Sequence, residues 1–113
     1  MNNCDPTHKL HSKELYTCCE SKKHDTGKLR YDLIPSEILE ALAEIYTFGA
    51  TKYSDNSWQD LSDFDDRYYS ALMRHLQKDK AGEIHDKESG FLHAAHAFWN
   101  AGALLWKRIQ EKE

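Results

Sequence analysis

The sequence is poor in cysteine, has no long apolar run and carries no excess of positive charge. Its three cysteines are odd in number, and Cys18 and Cys19 are adjacent, so no disulfide framework is indicated. No apolar run approaches the roughly 20 residues of a membrane span, and no apolar signal segment opens the chain. The formal charge of −4, without a Lys/Arg-rich face, argues against nucleic-acid binding but allows a small phosphorylated ligand. We therefore expect a cytoplasmic protein with no membrane or nucleic-acid partner.

The composition that remains is typical of one globular domain. Apolar residues make up 40% and charged residues 30% of the sequence. A chain of 113 residues is long enough to bury one modest core. Residues 1–27 are polar and punctuated by Asn, Pro, Ser and Gly, which predicts a flexible N-terminal arm. Residues 28–113 form the predicted domain.

Apolar residues at helical spacing predict three main helices and an all-α fold. The first is expected over 35–48, with proline and an acid in its opening turn, and Gly49 should end it. The second is expected from 65 or 66 to 81, with acids at its start and lysines near its end. The third is expected to begin between 86 and 90 and to run to about 110. The long connection over 49–65 is typical of a functional loop.

The third helix is apolar on most faces after Phe91. Four of its large side chains need more packing partners than two other helices in the same chain can supply. These are Trp99, Leu104, Leu105 and Trp106. We therefore expect a helical bundle completed by dimerisation, as a homodimer or homotetramer.

One column of polar side chains interrupts this apolar helix. Its members are three or four residues apart: Asp86, Ser89, His93, His96 and Asn100. Buried polar groups must be hydrogen-bonded or must bind something. We expect a group of outer residues to orient metal-binding carboxylates: His75, His93, His96 and Asn100. Structural histidines without a role in catalysis are the alternative.

Two acidic sets are the candidate metal ligands. Glu37, Glu40 and Glu44 share one face of the first helix, and Glu83 and Asp86 lie three residues apart after Gly82. Mg²⁺ and Mn²⁺ prefer carboxylates, and converging acids would repel one another without a cation. A solvated acidic face explains the first set as well, and acids favouring a helix N-terminus explain the second.

Zinc is an alternative metal for the histidines. His93 and His96 would need a third ligand, from among His75, His85 and Asp86. The His85-Asp86 dyad is also found in metal-dependent phosphohydrolases of the HD type, but that class needs a further Asp, and none follows Asp86.

Cations and aromatic residues near these acids suit a nucleotide. The candidate phosphate ligands are Lys28, Arg30, Lys52 and Arg74. Asn56 and Trp58 in the long loop are candidates for binding a base, because an amide reads a base edge and an aromatic face stacks on it. Surface solvation of the cations and core packing of Trp58 are the competing interpretations.

Several spaced blocks resemble the phage-type dATP/dGTP diphosphohydrolases, small relatives of MazG in the all-α NTP pyrophosphatase superfamily. The blocks are Gly-Lys-Leu-Arg-Tyr-Asp-Leu-Ile-Pro at 27–35, Phe-Gly-Ala-Thr-Lys-Tyr at 48–53, Arg-His-Leu at 74–76 and 82–97. The resemblance covers 27–106 and excludes the arm.

The resemblance implies a metal-dependent hydrolase in a phage-infected bacterial cell. It implies Mg²⁺ or Mn²⁺ as cofactor and cleavage of a purine deoxynucleoside triphosphate, dGTP or dATP, to the monophosphate. By its paired acidic motifs it assigns the metal to Glu37, Glu40, Glu83 and Asp86, with Glu40, Glu83 and Asp86 catalytic. The doubled Glu of the family's first motif is absent and the gap between the pairs is long, so Glu40 and Glu44 remain an alternative pair. A nucleotide-sequestering protein of the same fold is the alternative function.

Overall fold

The structure, a computed structural model, describes residues 26–112. Nearly all of the predicted arm over 1–27 lies outside these residues. The chain divides into two compact units, Met1–Leu33 and Ile34–Glu113. In the described part of the first unit, a turn leads into a short 3-10 helix at Tyr31–Leu33, and Arg30 pairs with Asp32 at 2.7 Å.

The second unit contains the three α-helices, so the all-α prediction is confirmed. They are α1 (Ser36–Lys52), α2 (Phe64–Lys80) and α3 (His93–Glu111). A 3-10 helix at Ser57–Asp60 lies between α1 and α2. Over 26–112 there is no β-strand, only an isolated antiparallel bridge between His85 and Leu92. No helix in this range is long and apolar enough to cross a membrane.

The prediction that Gly49 ends the first helix is wrong, because α1 continues through it to Lys52. An interior glycine costs a helix only about 1 kcal/mol relative to alanine. The hydroxyl of Thr51 donates to the carbonyl of Thr47 at 2.9 Å, and the Phe48 ring meets Phe91 edge to face at 5.7 Å. These contacts hold the last turn in place.

The predicted start of the third helix is also wrong, because α3 begins only at His93. The bridge between His85 and Leu92 and a hydrogen bond from the His93 N–H to the Ile84 carbonyl, 2.8 Å, use backbone groups that a longer helix would need. Asp86 and Ser89 therefore lie in a loop.

The core forms where α3 packs against α2. Ala103 is fully buried, and Phe64, Tyr68 and Leu104 surround it. Trp99 and Trp106 pack on this cluster, so they and Leu104 find partners within the chain, contrary to expectation. Leu105 alone of the four predicted residues is largely exposed, at 60%.

Candidate functional site

The connection between α2 and α3 folds back on itself. Gly82 and Gly90 adopt φ values of 105° and 83°, a region open mainly to glycine. The Asp86 N–H donates to the Phe91 carbonyl at 2.7 Å, and the Gly90 N–H donates to the Asp86 carbonyl at 2.8 Å. This loop, residues 81–92, carries both acids of the second predicted pair.

Asp86 is held by the serine three residues later. Its Oδ2 accepts the backbone N–H of Ser89 at 2.8 Å and the Ser89 hydroxyl at 3.0 Å. Because that hydroxyl donates to Asp86, its oxygen accepts from Nε2 of His96 at 2.7 Å and from the Phe91 N–H at 3.2 Å. The Asn100 amide then donates to the His96 carbonyl at 2.8 Å. Four members of the predicted polar column are thus joined by hydrogen bonds.

A second chain of contacts runs through two histidines. Nε2 of the fully buried His93 lies 2.8 Å from Oε2 of Glu83, and its Nδ1 lies 2.8 Å from Nδ1 of His75. A carboxylate only accepts hydrogen bonds, so Nε2 of His93 carries the proton of the contact with Glu83. When the ring carries only that proton, its Nδ1 accepts from Nδ1–H of His75. The His75 ring also stacks on His96, with centroids 4.6 Å apart and planes at 10°. Side chains from α2, the loop and α3 therefore meet here.

The surroundings fix the charge of these groups near neutral pH. Burial, with the other two histidines, lowers the pKa of His75 from 6.5 to about 4, and burial also lowers the pKa of His96. The hydrogen bond from His93 holds the pKa of Glu83 below its ordinary value. Burial acts to raise the pKa of Asp86, but the Ser89 hydrogen bonds and the nearby histidines outweigh it and leave that pKa lowered. His75 and His96 are thus neutral beside the ionised carboxylates of Glu83 and Asp86, and these are the protonation states in which such side chains bind metal.

Three of these side chains form a group that could hold a metal ion. One ligand atom from each of His75, Asp86 and His93 lies within 4.8 Å of the others. Two imidazoles and a carboxylate suit Mn²⁺ or Zn²⁺, whereas Mg²⁺ prefers oxygen ligands. Within residues 26–112, no other group of three or more histidine, cysteine or acidic ligands meets at this spacing.

The acids of α1 do not join this group. Glu37, Glu40 and Glu44 are all exposed. The predicted metal set of Glu37, Glu40, Glu83 and Asp86 therefore stays a prediction, and only its second pair lies at the histidine cluster.

A pocket of about 1100 Å³ opens between the C-terminal half of α1, the following loop, α2 and α3. Six predicted site residues line it: Lys52, Asn56, Trp58, His75, His96 and Asn100. His75 belongs to both the pocket and the metal-capable group, so the two adjoin. The Trp58 ring also lies 5.0 Å from Trp106 and 5.5 Å from Trp99, so packing occupies part of its surface.

The predicted phosphate ligands are not gathered in one place. Lys52 lines the pocket and forms an ion pair with Glu88 of the loop. Arg74 lines a separate groove on α2 that the pocket does not share. Lys28 and Arg30 belong to the first compact unit.

Two loop residues contact predicted site residues but were not predicted themselves: Ser89, which is hydrogen-bonded to Asp86 and His96, and Glu88, which pairs with Lys52. Ser89 stood in the polar column, and its three-residue spacing from Asp86 was the signal that could have assigned it. Glu88 pairs with a lysine 36 positions away, and no local pattern could have revealed that contact.

Comparison with known proteins identifies the family. The chain matches the family described as "dATP/dGTP diphosphohydrolase, N-terminal" over residues 20–113. A protein of Salmonella phage PMBT28 named dATP/dGTP diphosphohydrolase is 33% identical over 84 residues, which are 74% of this chain and 28% of that relative. The chain thus matches less than a third of the relative's length, and no solved structure matches it. With all three helices and the loop inside the matched range, this chain belongs to the dATP/dGTP diphosphohydrolase N-terminal family.

Proposed function

We infer that this chain takes part in the metal-dependent hydrolysis of dGTP or dATP to the monophosphate, and so shapes the nucleotide pool of a phage-infected cell. The relative in Salmonella phage PMBT28 carries the name of that activity. The single observation that carries the inference is that His75 lies both in the large pocket and in the metal-capable group. A bound nucleotide would then place its phosphates beside the ion.

The pocket suits a nucleotide in size and lining. Its volume, about 1100 Å³, lies just above the usual range of small-molecule sites, so a nucleotide can fit. Asn56 and the exposed part of Trp58 are the proposed base contacts. Lys52 is the proposed phosphate ligand within the pocket, and Lys28, Arg30 and Arg74 are proposed as further phosphate ligands.

Mg²⁺ or Mn²⁺ is the proposed cofactor, with Glu37, Glu40, Glu83 and Asp86 as its carboxylate ligands. When bound, such an ion neutralises charge on the phosphates and lowers the pKa of a coordinated water. Among the proposed catalytic residues Glu40, Glu83 and Asp86, a carboxylate not engaged by the ion serves as general base. The hydrogen bonds to Ser89 and His93 fix the orientation of Asp86 and Glu83 for these roles.

The test is to incubate the chain with a mixture of the four dNTPs and Mn²⁺ and to separate the products by chromatography. We expect dGMP or dAMP, and loss of product in Glu40→Gln and Asp86→Asn. Asp60→Asn is the control, because Asp60 is exposed in the 3-10 helix and outside the proposed site. If the nucleotide raises the melting temperature without turnover, the chain is a sequestering protein. If neither occurs, the proposal fails.

We also propose assembly into a homodimer or homotetramer. Several large apolar side chains remain at least half exposed: Leu39, Phe98, Leu105 and Ile109. Light scattering at micromolar concentration should give a multiple of the chain mass, and Leu105→Glu should reduce it. A monomeric wild-type chain would refute this packing argument.

A further inference from the structure

We propose that His75, Asp86 and His93 bind one divalent transition-metal ion per chain, with selectivity against Mg²⁺. This site differs from the carboxylate set because it contains no residue of α1 and takes two of its three ligands from imidazoles. It rests on the proposed function only in that the ion would lie beside the nucleotide pocket, which His75 also lines, and its binding is measurable without nucleotide.

The three ligands lie where an ion can reach them but water is restricted. His93 is fully buried, whereas His75 and Asp86 are half-buried. The ligand atoms already lie within 4.8 Å of one another. A tetrahedral ion with bonds of about 2.1 Å separates its ligands by roughly 3.4 Å. The two histidine nitrogens, now 2.8 Å apart, would separate by about half an ångström.

Two of the three ligands, His93 and Asp86, are oriented by an outer partner of the kind found around metal sites. Glu83 accepts from Nε2 of His93, which directs the Nδ1 lone pair of that ring towards His75. The backbone N–H and the hydroxyl of Ser89 both donate to Oδ2 of Asp86, which fixes the orientation of that carboxylate. A carboxylate behind a ligating histidine and a hydrogen-bonded ligating carboxylate are the arrangements that raise metal affinity.

Only His75 has to change its tautomer. In the metal-free state the two Nδ1 atoms lie 2.8 Å apart, and a His93 ring whose proton is on Nε2 accepts there from Nδ1–H of His75. On binding, that proton leaves Nδ1 of His75 and another from solvent joins its Nε2, so the ring stays neutral and both Nδ1 lone pairs face the ion. His75 lines the open pocket, which gives solvent access for this exchange.

The ligand chemistry selects the ion. Imidazole nitrogen suits Zn²⁺, Co²⁺ and Mn²⁺, whereas Mg²⁺ requires near-octahedral oxygen ligands and gives up its waters reluctantly. Affinity should rise from Mn²⁺ through Co²⁺ to Zn²⁺, approximately as the Irving–Williams order gives.

The experiment titrates the untagged chain with Co²⁺, Zn²⁺, Mn²⁺ and Mg²⁺ separately, without nucleotide, by calorimetry and, for Co²⁺, by visible absorption. We expect Co²⁺ to give an absorption band typical of nitrogen ligation that saturates at one ion per chain, and we expect an equal concentration of Mg²⁺ not to displace it. His75→Gln and Asp86→Asn should each weaken Co²⁺ binding at least about tenfold, and so should Glu83→Gln as an outer partner.

His85→Gln is the matched control, because His85 is an exposed histidine of the same loop outside the group. It should bind Co²⁺ as wild type does, as should Glu40→Gln. Circular dichroism verifies that each variant keeps its helices, and the isosteric Asp86→Asn provides a second test if His75→Gln unfolds. Unchanged binding in folded His75→Gln or Asp86→Asn, loss of binding in Glu40→Gln, or displacement of Co²⁺ by an equal concentration of Mg²⁺ would overturn the proposal. Metal binding without nucleotide turnover would refute the proposed function and leave the site intact.

Discussion

Replacing Ser89 by alanine removes the junction between the loop and α3. The Ser89 hydroxyl donates to Asp86 and accepts from His96 and Phe91, all within 3.2 Å. The variant loses one hydrogen bond to a charged group and leaves two half-buried donors without their acceptor. Such losses cost about 1–3 kcal/mol in total where water replaces part of the interaction. For a chain of 113 residues this corresponds to a fall in melting temperature of roughly 4–12 °C.

Urea denaturation followed by tryptophan fluorescence measures this loss directly. Ser57→Ala is the matched control, because the exposed Ser57 hydroxyl makes only a 3.2 Å hydrogen bond to the Ser54 carbonyl. It should change the free energy of unfolding by less than about 0.5 kcal/mol. If Ser89→Ala is as stable as Ser57→Ala, the hydrogen bonds at this junction do not stabilise the fold.

Three further results follow from the structure. Tyr68→Phe removes a 2.9 Å hydrogen bond to the Trp58 carbonyl and should cost about 1 kcal/mol in urea denaturation. Gly90→Ala forces alanine to a φ of 83° and should lower the free energy of unfolding by about 1–2 kcal/mol. Gly102→Ala lies within α3 with open space around the added methyl, and should be neutral or stabilising. Equal effects of the two substitutions would contradict the strain argument. Because the folded-state pKa of His75 is near 4 and its unfolded value 6.5, the unfolded chain binds the extra proton between these values. The metal-free chain should therefore be most stable above pH 6.5 and lose stability as pH falls towards 4, and His75→Gln should flatten that dependence.

Helix existence was predictable because long periodic segments report which face is buried. The observed α2, Phe64–Lys80, begins and ends within two residues of its prediction, since acids, lysines and Gly82 mark its ends. The end of α1 was not predictable from Gly49 alone. Near that end the Phe48 ring packs against Phe91, a residue that follows α2 in the chain and that no local pattern could have paired with it. Local signals set helix ends only where tertiary contacts do not override them.

The coverage of α3 was misjudged for a related reason. The 3-10 helix brings Trp58 to within 5.0 Å of Trp106 and 5.5 Å of Trp99, so core packing, the alternative to base binding for Trp58, contributes to the cover of α3. Periodicity cannot show which loop residues turn inward. Leu105 remains exposed because it lies on a different face of α3.

The polar column illustrates how a contact can be predicted correctly on a wrong secondary structure. Residues three apart are neighbours on a helix. A turn in which an aspartate side chain accepts hydrogen bonds from the following residues also brings the residue three positions later to that carboxylate. Asp86 and Ser89 meet by the second geometry, and His96 then reaches Ser89 from the first turn of α3. His75 could not be assigned in this way, because it enters from α2 through the packing of two helices. The spacing of residues along the chain therefore predicted the contacts among Asp86, Ser89 and His96, which are close in sequence. That His75 joins Asp86 and His93 in the metal-capable group is visible only in the tertiary structure.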